Sequence, residues 1–272
     1  MLVRTIVGVV GVPLMLAILF LCPPWVLPCF YALLGMLAQH ELLFATGFVK
    51  NKWIVAICAV SAAAIPFLLY FSCPAAAWVG VLTVLVAAFF LIAMNTHRTI
   101  GFEQIAMSLF SAFVVPLFLS MAVTIRNDSY GVYLLVLPFL AAWMSDTGAY
   151  FVGSFFGRHK LCPNISPKKS VEGAVGGVLG AVLGGVIYAL IMTYCFDFSV
   201  NWLSLAVVCV VGSISGQFGD LIFSYIKREA GIKDYGHLLP GHGGVLDRFD
   251  SIFLTTPVTA ALLLLLPALL LR

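Results

Sequence analysis

The chain has 272 residues, of which 62% are hydrophobic and only 9% charged, and its mean hydropathy is +1.12. A soluble domain carries about 25% charged residues, so a soluble fold of this size would lack the polar residues to cover its surface. The composition predicts an all-α integral membrane protein, and the net charge of +3, with no basic tract, gives no footing for a nucleic-acid partner. The apolar runs are long and continuous rather than alternating, which sets aside a β-barrel.

In chain order, breaks between apolar runs predict nine spans, at 4–21, 25–46, 53–71, 75–94, 104–124, 130–156, 171–195, 202–226 and 251–271. The first, which follows Arg4, has the look of a signal peptide. No small-x-small cleavage site follows it, so it is read as an uncleaved span. Backbone groups in lipid must be satisfied within their own segment, so the spans are expected to be helices. Placing the N-terminus in the cytoplasm puts twelve of the fourteen Lys and Arg residues in inside loops and only Arg126 and Arg272 outside. The seven cysteines sit in or beside apolar runs with no metal-ligand spacing, and are read as packing residues.

Charge divides the chain unevenly. Residues 1–135 carry eight charged side chains and residues 136–272 carry seventeen. The first part is predicted to be a hydrophobic transmembrane scaffold. The second is predicted to be a transmembrane catalytic region with cytoplasmic loops at 157–170 and 227–250. No inverted repeat relates the halves, which argues against a transporter. Span seven, "EGAVGGVLGAVLGGVIY", holds two small-residue stripes, Gly173/Gly177/Ala181/Gly185 and Gly176/Gly180/Gly184. Such spacing predicts close helix packing, within the chain or between subunits. A phosphate-binding glycine loop is the competing reading, but no strand or dinucleotide fingerprint accompanies it.

An ionisable group in a membrane is costly and asks for a reason. Three acids interrupt apolar runs: Glu41, Asp146 and Asp220. Glu41 is expected to be interfacial or paired with a basic residue, and Glu41→Gln close to silent. Asp220, Ser224 and Lys227 recur at helical spacing and share a face, with Arg228 beside them. The plain alternative, two cations snorkelling to the interface, leaves Asp220 unexplained. Asp247 and Asp250 are three apart at the start of span nine and are expected to converge with Asp220 on one site. Hard oxygen ligands of this kind suit Mg²⁺, which binds through one or two carboxylates and substrate phosphates. A second cation is a further option.

The segment "PGHGG", with His242, Gly243 and Gly244, bends backbone towards a ligand and offers N–H groups to phosphate. Lys227, Arg228, Lys233 and Arg248 are suitable counter-charges. His237 and His242 are candidate bases or ligands, set against a plainer role as loop histidines that bond backbone. In "RHKLCPNISPKKSVEG", the pair Lys168 and Lys169 with Ser170 reads as a phosphate site. A lipid head-group anchor competes for Arg158 and Lys160.

The stretch "SYIKREAGIKDYGHLLPGHGGVLDRFD", Ser224 to Asp250, resembles the signature of the phosphatidate cytidylyltransferases, or CDP-diacylglycerol synthases. The matching positions are Ser224, Lys227-Arg228, Lys233-Asp234, Gly236, Leu239-Pro240, His242-Gly243-Gly244, Asp247-Arg248 and Asp250. The blocks "SDTGAYFVGSFFGRHKL…ISPKKSVEG" and "GQFGDL" are also similar to the family, so the likeness covers about residues 140–252. One departure shows: the family often has Thr-Trp after the two lysines, where this chain has Ser170-Val171.

The resemblance implies that phosphatidate attacks the α-phosphate of CTP, releasing pyrophosphate and leaving CDP-diacylglycerol. It implies Asp220 and Asp247 as metal ligands with Asp250 in support. Ser224, Lys227, Arg228 and Arg248 would hold phosphates, and Lys168, Lys169 and Ser170 would bind nucleotide or lipid phosphate. Asp146 is carried over without a defined role. A homodimer in a bacterial plasma membrane, active at the cytoplasmic face among membrane lipids, is implied as well. Two other readings stand beside it: a CTP-dependent kinase of a prenol or phytol, and an ion-coupled transporter.

Overall fold

The computed structural model describes residues 17–18, 21–96, 99–236, 238 and 243–271. Among them, eight helices are long and apolar enough to cross a membrane. They are α1 (Val26–Thr46), α2 (Lys52–Tyr70), α3 (Ala75–Asn95), α4 (Phe102–Arg126), α5 (Gly131–Phe156), α6 (Val171–Cys195), α7 (Trp202–Glu229) and α8 (Leu246–Leu265). This makes the chain a multi-pass membrane protein built mostly of helices. The predicted span 4–21 lies largely outside the described residues. The next seven predicted spans match their helices to within a few residues. The last one is displaced: α8 begins at Leu246 rather than 251 and ends at Leu265 rather than 271. Beyond it, β4 (Leu269–Leu271) pairs antiparallel with β3 (Phe198–Val200), which stops the helix short.

The chain forms two compact units. The first comprises residues 1–127 and 229–249 and so holds α1 to α4. Its core is apolar, with Leu43, Ile54, Cys58, Leu85, Phe89 and Ala112 buried together. Asn51 caps α2, its side chain accepting from the Trp53 and Ile54 N–H groups at 2.9 and 3.4 Å. In α4, residues Phe110–Val114 widen into a π-turn just before Pro116. Proline has no N–H to give the carbonyl four residues back. That carbonyl, on Ala112, accepts instead from Ser61 Oγ of α2 at 2.8 Å. A buried acceptor without a partner would be costly in lipid, so the serine stands where the proline requires it.

The second unit comprises residues 128–228 and 250–272. It holds α5, α6, α7, α8 from Asp250 onward, and a hairpin of β1 (Lys160–Cys162) and β2 (Ser166–Ser170) that enters α6. The glycine stripes of α6 do the packing predicted for them, within the chain. A Cβ on Gly180 would lie 2.5 Å from the Met144 carbonyl oxygen of α5, and one on Gly148 would collide with the Gly176 carbonyl. The neighbouring stripe also serves α7, where a Cβ on Gly185 would strike Cys209 Sγ. Helices α7 and α8 close in the same way, with Gly216 against Thr255 and Gly219 against the Asp250 carbonyl. Lipid offers no hydrophobic drive for helix pairing, so backbone approach of this kind supplies the van der Waals contact instead.

Candidate active site

Several polar residues of the second unit line one cavity of about 460 Å³, while Ser224, Lys227, Arg228 and Asp250 are not part of its wall. Its walls come from α5 (Asp146, Tyr150, Ser154), β2 (Lys168, Lys169, Ser170), the start of α6 (Gly173) and α7 (Gln217, Asp220). This volume is within the range of small-molecule sites.

The hairpin delivers the lysine pair. Its strands pair Lys160 with Ser170 and Cys162 with Ser166. Ser170 then caps α6, its Oγ accepting from the Gly173 N–H at 3.1 Å. Glu172 in the first turn of α6 accepts from the backbone N–H groups of Arg158 and His159 and meets His159 Nδ1 at 2.6 Å. The sequence Ser-x-Glu therefore ties both ends of the hairpin to one helix terminus. Arg228, at the end of α7, donates from Nε to the Ile165 carbonyl at 3.2 Å and steadies the hairpin tip.

Asp220 is the centre of charge in the cavity. Lys169 Nζ lies 2.5 Å from its Oδ2, with both side chains about three-quarters buried. Ser224 Oγ donates to Asp220 Oδ1 at 3.2 Å, which bears out their shared helical face. One helical turn of α7 thus presents a carboxylate and a hydroxyl, and the hairpin supplies the cation that partners them. Asp146 accepts from Ser251 Oγ at 3.3 Å, and Asp250 Oδ1 accepts from the Ser251 N–H at 2.8 Å. Three carboxylates therefore stand on α5, α7 and α8 of this one unit. Below them Gln217 Nε2 donates to Ser145 Oγ, Ser213 Oγ and the Ala174 carbonyl at 3.2, 3.3 and 3.1 Å. The Ser145 and Ser213 hydroxyls are 2.7 Å apart. This buried network fastens three helices beneath the cavity. Gln217, Tyr150 and Ser154 were not singled out from sequence, because single polar residues in apolar runs carry no spacing signal.

Other expected site residues belong to the first unit. Asp247 is buried, and its Oδ2 accepts from the Tyr235 and Gly244 N–H groups at 2.8 and 3.1 Å. Gly243 has φ +87°, a left-handed conformation that disfavours any side chain, and a Cβ there would press on Asp247 Oδ2. Lys233 and Arg248 are exposed. His237 and His242 lie outside the described residues, as do Leu239 and Pro240. Glu41 also belongs to the first unit, and its partners are backbone groups. No hydrogen bond or ion pair to a basic side chain is seen for it among the described residues. It is buried and accepts from the N–H groups of Val245 and Leu246 at 2.9 and 2.8 Å. Backbone donors at a helix start satisfy a carboxylate without a cation.

The residues fit Mg²⁺ by donor chemistry. Asp220 and Asp146 in the cavity wall offer carboxylate oxygens, hard donors of the kind Mg²⁺ takes. No group of three or more His, Cys, Asp or Glu forms a ready cage among the described residues. Hard oxygen donors of this kind are the ligands of a cation that takes one or two carboxylates and completes its shell with water and phosphate.

A profile of the cytidylyltransferase family matches residues 2–266. The chain belongs to that family. Its curated relatives include a phosphatidate cytidylyltransferase of Staphylococcus epidermidis, 35% identical over 267 residues, which are 96% of this chain and 98% of the relative. Phosphatidate cytidylyltransferases of Staphylococcus haemolyticus and of Staphylococcus aureus (strain COL) are each 41% identical over 139 and 140 residues. In those two the match spans about half of either protein, 51% of this chain and 51% or 52% of the relative.

Proposed function

We propose that this chain transfers the cytidylyl group of CTP to phosphatidate. A phosphate oxygen of phosphatidate forms a bond to the α-phosphorus of CTP while the bond from that phosphorus to the β-phosphate bridge breaks. Pyrophosphate leaves and CDP-diacylglycerol stays in the bilayer. The observation that carries this reading is the Lys168–Lys169–Ser170 strand facing Asp220 across one cavity, in a chain of the cytidylyltransferase family.

Two polyanions repel, so the site has to neutralise them before they meet. Lys168 and Lys169 are the cations for that task, with Lys227, Arg228, Lys233 and Arg248 as further phosphate partners. Lys169 keeps Asp220 neutralised until substrate phosphate competes for its ammonium. Ser224 orients the Asp220 carboxylate, and Ser170 keeps the lysine strand fixed to the helix start. A phosphate monoester is already a nucleophile at neutral pH, so no strong base is needed. We assign Asp220 and Asp247 as Mg²⁺ ligands with Asp250 in support, and give Gly243, Gly244 and His242 to phosphate binding. Mg²⁺, when bound, would offset charge on the phosphates in an in-line displacement.

The same reading includes a ninth span at 4–21, a cytoplasmic N-terminus and an active site at the cytoplasmic face of a bacterial plasma membrane. The asymmetric placement of Lys and Arg supports the orientation. A homodimer is carried over from the family resemblance.

The test uses purified protein in detergent with phosphatidate, Mg²⁺ and CTP labelled in the cytidine ring. Label entering the lipid phase, matched by pyrophosphate release, is the expected result. Phosphate passing from γ-labelled CTP to a prenol, with cytidine left in the water phase, would replace the transferase with a kinase. Ion flux in sealed vesicles with no nucleotide turnover would replace it with a transporter.

A further inference from the structure

Glu41 stands 205 positions before Leu246, on a helix of the apolar first half, yet its carboxylate is spent on the start of α8. Oε1 accepts from the Val245 N–H at 2.9 Å and Oε2 from the Leu246 N–H at 2.8 Å. The first N–H groups of any helix lack intrahelical partners. Here α1 supplies the cap that the local sequence does not. The carboxylate is buried, 7% exposed, and charge-assisted bonds to two N–H groups at the positive end of a helix dipole make that burial tolerable.

The fit is closed on its other sides by glycine. A Cβ on Gly244 would come within 2.5 Å of Glu41 Oε2, and one on Gly236 within 3.0 Å of Oε1. Two glycines of the Ser224–Asp250 stretch therefore make room for one acid from elsewhere in the chain. Asp247 is bound into the same backbone, since Gly244 donates to Asp247 Oδ2 while the next two N–H groups donate to Glu41. Displacing the Glu41 carboxylate releases the turn that holds Asp247.

We infer that Glu41 is a positioning residue for the reaction, one that touches no substrate and acts by fixing the backbone of residues 243–247 and with it the Asp247 carboxylate. This rests on the proposed cytidylyl transfer, in which Asp247 takes part. It reverses the expectation that Glu41→Gln is silent.

Glu41→Gln keeps the shape but turns one acceptor into an NH₂ group facing an N–H. The experiment measures kcat, KM for CTP and amide hydrogen exchange in the full-length protein in detergent. The expected result is exchange at Val245 and Leu246 at least tenfold faster, kcat at least tenfold lower, KM for CTP within threefold, and exchange in α2 unchanged. Leu42→Ala is the control, because Leu42 is a fully buried neighbour on α1. It should lower the Tm without changing kcat per folded molecule or exchange at Val245 and Leu246. Wild-type kcat in Glu41→Gln overturns the inference even if exchange rises, and so does an equal loss of kcat in Leu42→Ala. Should Glu41→Gln not fold, Glu41→Asp keeps the charge but shortens the reach; it should shift both readouts the same way, and wild-type values for both overturn the inference. Absence of turnover in the wild-type chain overturns the proposed reaction instead, and is told apart because faster exchange at Val245 and Leu246 in the variant would still appear.

Discussion

The packing of α6 on α5 makes one substitution change sign with position. Gly180→Ala adds a single methyl group, and its carbon would sit 2.5 Å from the Met144 carbonyl oxygen and 3.2 Å from Gly148 Cα. That is 0.9 Å short of the 3.4 Å at which ordinary contact begins, and both neighbours are backbone, which cannot rotate aside. The helices have to part locally. Overpacking of this kind costs about 1–3 kcal/mol. The damage extends to function, because Asp146 follows Met144 by two residues and the start of α6 forms the facing wall of the cavity. Gly80→Ala on α3 is the matched comparison. Nothing lies within 4 Å of its added carbon, and alanine is favoured over glycine in a helix by about 1 kcal/mol. Thermal unfolding in detergent, followed by tryptophan fluorescence, should show Gly180→Ala melting below wild type and Gly80→Ala at or above it. Cytidylyl transfer should drop only in Gly180→Ala. Equal melting temperatures for the two variants would refute the claim that glycine at 180 is there to let backbones meet.

Other outcomes follow from single contacts. Asp220→Asn should reduce kcat at least a hundredfold while the melting temperature stays within a few degrees; turnover near wild type in a radiolabel assay would remove Asp220 from the reaction. Lys169→Ala should lower kcat, because Asp220 loses the cation 2.5 Å away, whereas Lys168→Ala should chiefly raise a KM. Steady-state kinetics with each substrate varied in turn separates the two, and unchanged constants in Lys168→Ala would return it to a lipid head-group anchor. Ser61→Ala should destabilise the chain by about 1–3 kcal/mol by orphaning the Ala112 carbonyl, without touching catalysis. Unaltered unfolding would mean that Pro116 imposes no such requirement.

How much was legible in advance depended on how far apart the interacting groups lie in the chain. Each spanning helix satisfies its own backbone, so length and hydropathy alone place it, and seven of the predicted spans after the first match to within a few residues. The stripes of small residues in α6 were legible for the same reason, since a helix period is a local property. The shared face of Asp220 and Ser224 is likewise one helical turn, and their hydrogen bond confirms it. The family signature was legible as a string of polar residues in an apolar chain.

What sequence spacing could not supply were partners from distant segments. Lys169 and Asp220 meet only because the hairpin and α7 both open on one cavity, and nothing in either motif names the other. Gln217 is a lone amide in an apolar run until Ser145 and Ser213 close around it. Glu41 was the hardest case: its partners are backbone N–H groups, which no residue type betrays. Composition and periodicity by themselves determined that this is a chain of membrane helices with most of its charge in the second half. Only the tertiary structure decided that an acid in the first half caps the start of α8, because a buried carboxylate takes its role from the donors that surround it.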